Sequence, residues 1–207
     1  RPAFGGSWIA RHAVEIGAAM IAVLPIVVAV VRALVHHYVP IGDDGLILLR
    51  SRDVLTANHP WLGTWSSSSL SLGIDLNNPG PILFDLMAPW VRLLGAGPGL
   101  AIGVGTMNAA CLVGAAAVAH RVRGRRAYLL TLLVGVVIAW SMGSELIFDV
   151  WQPHALVFVY LLLALLAWAM ADGRAWTIPG SVAIVSVLVQ THLSYVYLAP
   201  LTLLAGI

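Results

Sequence analysis

Two apolar runs, Ala13–Val35 and Gly99–Ala119, constrain this chain more than any other feature. Each supplies the roughly 20 predominantly apolar residues that a helix needs to cross a bilayer. Composition agrees: 60% of the 207 residues are apolar and only 10% are charged, against about 25% charged in a soluble domain. The fold class expected is all-α, a polytopic transmembrane helical bundle in a single domain covering 1–207. Spans are expected at about 13–35, 99–119, 127–142, 153–171 and 177–191, with a truncated sixth at 195–207. The chain begins Arg1-Pro2 and stops inside an apolar run at Ile207, so it is expected to be the N-terminal part of a longer protein.

The charges set the orientation. All eleven basic residues are arginine, and four crowd into His120-Arg121-Val122-Arg123-Gly124-Arg125-Arg126. The bias of Lys and Arg toward the cytoplasmic side places that cluster inside with Arg1, Arg11 and Arg174. Residues 36–98 then form a long first extracytoplasmic loop. Within it, Gly45–Ala57 sets Leu46, Ile47, Leu49, Val54 and Leu55 against Arg50, Arg52 and Asp53, the pattern of an amphipathic interfacial helix. Pro81–Leu94 is apolar but short, and it is expected to lie at the outer interface. This topology gathers Asp43, Asp44, Asp53, Asp75, Asp85, Glu145 and Asp149 on the outer face. A net charge of +2 is too small to imply a nucleic-acid partner, and the single cysteine, Cys111, excludes a disulfide framework.

Chemistry is therefore sought among the outer polar residues. Asp43 and Asp44, at the mouth of the first span, repel one another, so one is expected to hold its proton tightly unless a cation lies between them. They suit a general base, with or without a divalent ion bound through oxygen ligands, or an N-cap for the helix that follows. Glu145 and Asp149 share a face if their segment is helical, and His154 follows at the start of a span. Arg50, Arg52 and Arg92 lie outside against the charge trend and suit phosphate, or else snorkel. Asn78, in Asn77-Asn78-Pro79-Gly80-Pro81, sits in a rigid turn able to offer amides to phosphate or sugar. His36, His37, His59 and His192 have no metal-ligand spacing and suit an interface. No P-loop, Rossmann glycine fingerprint or Gly-x-Ser-x-Gly elbow is present, so no soluble nucleotide is expected.

These features together resemble the GT-C-type polytopic membrane glycosyltransferases, a group with protein O-mannosyltransferases, aminoarabinose transferases and mycobacterial arabinosyl- and mannosyltransferases. The resemblance rests on a first span ending in Gly42-Asp43-Asp44-Gly45, an amphipathic surface helix, and a Pro-rich turn before a short apolar helix. A later span ends in an Arg-rich inner loop. The stretch Asn78-Pro79-Gly80-Pro81-Ile82-Leu83-Phe84 is similar to the family's His-Pro-Pro-Leu-type segment, with Asn for His and an inserted Gly. Val189-Gln190-Thr191-His192-Leu193-Ser194-Tyr195 is loosely similar to a Leu-Thr-Lys-Tyr-like step, without the Lys.

The resemblance implies transfer of a sugar from a polyprenyl-phosphate donor to an extracytoplasmic glycan, lipid or protein acceptor, in a multi-pass protein of the cell membrane. It implies Asp43 as the base, with Asp44 assisting or binding a divalent cation (Mg, Mn or Ca). Arg50, Arg52, His59, Asn78, Arg92, Glu145, Asp149, His154 and His192 are the candidate substrate-binding residues. The competing expectations are a transporter or flippase, which would place ionisable groups near the bilayer midplane, and a non-catalytic envelope-assembly subunit.

Overall fold

A computed structural model describes residues 8–205, and within them the regular elements are all helical apart from one isolated β-bridge between Trp65 and Asn77. The helices are α1 (Trp8–Val35), α2 (Gly42–Asp53), α3 (Ser68–Leu72), α4 (Ile82–Leu94), α5 (Ala96–Leu146), α6 (Gln152–Ala155), α7 (Val157–Ala171), α8 (Ile178–Thr191) and α9 (Tyr195–Leu204), with a 3-10 turn at Ala175–Thr177. Three helical segments are long and apolar enough to cross a membrane: His12–Val35, Ala96–Leu146 and Gln152–Ala171. Their outward faces fit that environment. On α1 the spacing of Ala22, Ile26, Ala29 and Ala33 makes a buried stripe, while Met20, Ile21, Leu24, Val28 and Val31 stay exposed. So continuous an apolar exterior is poorly matched to water.

The 51 residues of α5 would extend for about 76 Å as one straight helix at roughly 1.5 Å per residue. They do not. Arg123 and Gly124 leave helical geometry, Gly124 with φ at 72°, and the two halves fold back on one another. Gly135 faces Leu112, so closely that a Cβ there would overlap the leucine side chain. Farther along, the Asn108 Nδ2 donates to the Ile147 carbonyl at 2.8 Å. Residues 99–119 and 127–142, expected as separate apolar segments, lie on two antiparallel arms of one hairpin. Helix α1 packs against this hairpin, and α7 packs on its other side.

One end of the molecule is basic. Arg123 pairs with Asp172 through its Nη1 at 2.9 Å, and Arg174 reaches the same carboxylate at 3.1 Å. Arg125 meets Glu15 at 3.2 Å, and Arg121 lies over the Trp176 ring at 5.0 Å. Arg1, also assigned to this end from sequence, lies outside the described residues, as does the side chain of Arg11.

The opposite end carries the loops. Ile47 and Leu48 of α2, with Leu83, Phe84, Met87 and Val91 of α4, form a second core against Leu100 and Val104 of α5. Gly99 and Gly103 let α4 approach, because a Cβ at either would press on Val91, Trp90 or Met87. Residues 63–78 pair with themselves through Gly63 N–H to the Asn78 carbonyl (2.9 Å) and Ser66 N–H to the Leu76 carbonyl (2.8 Å). Two bonds then lash this loop to the far end of the chain: Gly80 N–H to the Gln190 carbonyl at 2.9 Å, and Leu193 N–H to Asn78 Oδ1 at 2.8 Å. The segments expected as spans at 177–191 and 195–207 form shorter apolar helices, Ala175–Thr191 and Tyr195–Leu204, each below the roughly 20 residues of a perpendicular crossing. Residues 206 and 207 lie outside the described residues.

Gly97, in the first turn of α5, has its missing Cβ aimed at the backbone carbonyl of Tyr38. A backbone atom cannot rotate away, so Gly97→Ala is expected to cost about 1–3 kcal/mol of overpacking and to lower the thermal midpoint of the purified protein. Gly17→Ala in α1 has open space around it and is expected to leave the midpoint unchanged or raised. Equal midpoints for the two variants would contradict this packing.

Candidate functional site

After α1 the chain turns sharply. His37 takes a left-handed conformation (φ 53°), the Tyr38 N–H donates to the Ala33 carbonyl at 2.9 Å, and α2 starts at Gly42 (φ 56°). The N-cap of α2 is Ile41, whose side chain makes no capping bond. Asp43 and Asp44 therefore stand inside the first helical turn rather than at the cap, which corrects the capping role considered from sequence. Free N–H groups and the helix dipole favour negative charge at that position.

Consecutive residues on a helix point about 100° apart, and that angle separates the two aspartates. Asp43 is exposed, whereas Asp44 is half-buried and lines a cavity of about 550 Å³. The other polar walls come from Arg32 of α1, His36 just after it, Tyr38 of the turn, Ser144 and Glu145 at the end of α5, and Asp149 just beyond it. The Tyr38 hydroxyl donates to Asp44 Oδ2 at 2.5 Å, and its ring stands edge-on to Phe148 at 5.1 Å. Asp149 is held at both oxygens: Trp151 N–H donates to Oδ1 at 2.9 Å, and His154 Nδ1 lies 2.5 Å from Oδ2. The His154 ring in turn packs edge-on to Trp151 at 4.9 Å.

Burial pushes the Asp44 carboxyl up to about 6, the Tyr38 hydroxyl bond opposes the rise, and the nearby charge and hydrogen bond of Asp149, with the charge of Asp43, add to it. Such a carboxylate is ionised at neutral pH yet basic enough to accept a proton, the balance a general base requires. Tyr38 moves far above its ordinary range, through burial first and then its bond to Asp44, so it stays a donor. Arg32 supplies positive charge to the same cavity, and His36 an imidazole.

Of the residues singled out from sequence, the cavity unites Asp44, Glu145 and Asp149, with His154 behind Asp149. Glu145 and Asp149 were expected to share a helix face. Instead α5 ends at Leu146, and Asp149 reaches the cavity from the loop beyond. The remaining candidates lie elsewhere. Arg50 and Arg52 are exposed in the last turn of α2, and the exposed Arg92 donates to the Val54 carbonyl. His59 accepts the Leu55 N–H at 3.0 Å and packs on Trp61, and His192 Nδ1 accepts the Ser194 N–H at 3.3 Å. Asn78 is buried, with its amide bonded to Thr64 at 2.9 and 3.1 Å and its carbonyl to Leu193. It holds the loop closed.

Tyr38 escaped sequence reasoning, because a tyrosine six residues before an aspartate forms no recognised spacing. Arg32 and His36 carried a usable signal: four residues apart, they occupy one face at the end of α1. One Asp44 oxygen accepts the Tyr38 hydroxyl hydrogen bond, and among the described residues no group of three His, Cys, Asp or Glu side chains is placed to hold a metal ion. No step below is routed through a metal.

No protein-family model, curated protein or solved structure matches the chain. The functional argument accordingly rests on the cavity itself.

Tyr38→Phe removes the one bond that holds the Asp44 carboxyl down, so its pKa is expected to rise above about 6. A base is active when ionised, so the acid limb of any Asp44-dependent activity should shift to higher pH. The check is a pH–rate profile of the variant beside the wild type; a limb at or below the wild-type position contradicts the assignment.

Proposed function

We propose that this chain is part of a multi-pass membrane glycosyltransferase that moves a sugar from a polyprenyl-phosphate donor to a hydroxyl of an extracytoplasmic glycan, lipid or protein. The observation that carries this reading is the pairing, in one cavity at the loop end of apolar helices, of a half-buried basic carboxylate, Asp44, with the Arg32 guanidinium and the His36 imidazole. The resemblance of the Gly42–Gly45 and Asn78–Phe84 segments to GT-C enzymes supports it.

Sugar transfer from a lipid phosphate needs two opposite charges a few ångströms apart. Asp44 takes the proton of the acceptor hydroxyl while the hydroxyl oxygen forms its bond to the anomeric carbon. The bond from that carbon to the phosphate oxygen breaks, and its electron pair leaves with the phosphate. Arg32, with the His36 imidazole lining the same cavity, stabilises the departing charge, an interaction that strengthens as the bond opens. Asp43 stood as the base by resemblance; its exposure on α2 favours Asp44 for that role, with Asp43 contributing its field. A polar cavity at a helix end also suits an enzyme better than a transporter, whose ionisable groups belong near the midplane.

Orientation follows from charge. The Arg121–Arg126 cluster marks the cytoplasmic end, so the cavity opens on the extracytoplasmic side of the cell membrane. Single cysteines at Ser67 and Arg126, in a background with the native Cys111 replaced, are expected to label from opposite sides of sealed vesicles. Labelling of both from one side would reverse this topology.

The decisive variants are Asp44→Asn and Asp43→Asn in the full-length protein, assayed in membranes with polyprenyl-phosphate-linked sugars. Loss of a general base is expected to slow turnover by about 10²–10⁴-fold for Asp44→Asn. Asp43→Asn should fall by less than about tenfold, the size of a nearby-charge effect. Full turnover in Asp44→Asn would end the proposal.

A further inference from the structure

Asp149 presents two sides to different partners, and that arrangement bears on the base assigned above. One side faces the cavity that Asp44 also lines, where the negative charge of Asp149 makes Asp44 hold its proton more tightly. Its Oδ1 takes the Trp151 N–H at 2.9 Å and its Oδ2 lies 2.5 Å from His154 Nδ1. A contact that short between an imidazole nitrogen and a carboxylate oxygen must contain a proton. His154 is itself fixed, packed edge-on against Trp151 and set in the turn of α6 that follows. About a quarter of its side chain is exposed, which leaves it open to proton exchange with water, and it does not line the cavity.

We propose that His154 is a positioning residue for Asp44, acting through Asp149: its hydrogen bond fixes and partly neutralises the carboxylate that Asp44 faces, and so sets how tightly Asp44 holds a proton. The proposal deepens the reading of Asp44 as a base and rests on it for its catalytic meaning. Its electrostatic content is independent of any substrate. The sign follows from Coulomb interaction between neighbouring groups. With His154 in place, Asp149 repels the ionised form of Asp44 less, and Asp44 ionises more readily. Removing the imidazole exposes Asp44 to the full negative charge of Asp149, and its proton is held more tightly. Removing the Asp149 charge does the reverse. The other charged or titratable groups near Asp44 are Arg32 from α1, His36 just after it, Tyr38 from the turn, Asp43 beside it on α2, and Glu145 at the end of α5. None of them touches His154, so an effect of His154 that travels through Asp149 is separable from theirs.

The test is a double-mutant cycle read on Asp44 itself. Infrared titration of the full-length protein in detergent follows the protonated-carboxyl band that disappears in Asp44→Asn. The band's midpoint is expected to rise by about half a pH unit or more in His154→Ala, and to fall by a similar amount in Asp149→Asn. In Asp149→Asn/His154→Ala it should match Asp149→Asn alone, because the histidine then has no carboxylate to act on. His154→Gln, which keeps a side-chain donor, should return the midpoint part of the way to wild type. It also serves as the folded control if the alanine variant is unstable. The proposal is overturned if the midpoint does not move in either His154 variant, or if His154→Ala moves it equally with and without Asp149. Sugar transfer by Asp44→Asn fails the enzyme reading instead, and leaves this titration to be judged separately.

Discussion

Everything at the loop end depends on the reversal of α5 at Arg123–Gly124. A continuous helix would carry Asp149 about 80 Å from the start of α5 at roughly 1.5 Å per residue. The break at a left-handed glycine (φ 72°) turns the second arm back along the first, and the chain then delivers residues 144–149 beside the end of α1. Small residues make the return possible. Gly135 accepts the Leu112 side chain, and Asn108 ties the two arms together at the level of Ile147. That last bond anchors the segment immediately before Phe148 and Asp149, so packing deep in the hairpin determines where a cavity acid stands. Around the break Arg123 pairs with Asp172 and Arg125 with Glu15, which fastens α7 and α1 to the hinge.

Helix content and the apolar segments were legible from sequence because twenty-residue apolar runs have few other uses. The Arg cluster likewise marked the hairpin turn. Finer features were not. Residues Gly42–Asp53 were read as a helix starting near Gly45, because paired aspartates before an apolar run imitate a cap. The real start falls earlier, at a glycine whose positive φ no one-dimensional pattern reveals. That shift of three residues matters, since it sets which aspartate turns inward.

The site was half legible. Asp44, Glu145, Asp149 and His154 are acids and a histidine near helix ends, and their residue types alone made them candidates. Their convergence is a tertiary fact, with more than a hundred residues separating Asp44 from Asp149. Asn78 shows the opposite failure. A polar amide in a Pro-Gly turn reads as a ligand contact, yet buried polar groups must be satisfied. Here Thr64 and Leu193 satisfy it. The outward arginines Arg50, Arg52 and Arg92 were noticed because they break a topology rule, while Arg32, which lines the cavity, sits at the end of an apolar run and breaks none.

The lashing of the first loop to the end of α8 governs the order of assembly. Asn78 bonds a backbone N–H that lies 115 residues later in the chain, and the Gly80 N–H waits for the Gln190 carbonyl. During synthesis the chain lengthens at about 5–20 residues per second. The loop must therefore stand open for several seconds while the hairpin and α7 are inserted. Only then do its buried amide and turn find their partners. That loop is thus completed only once the helices that follow it are in place.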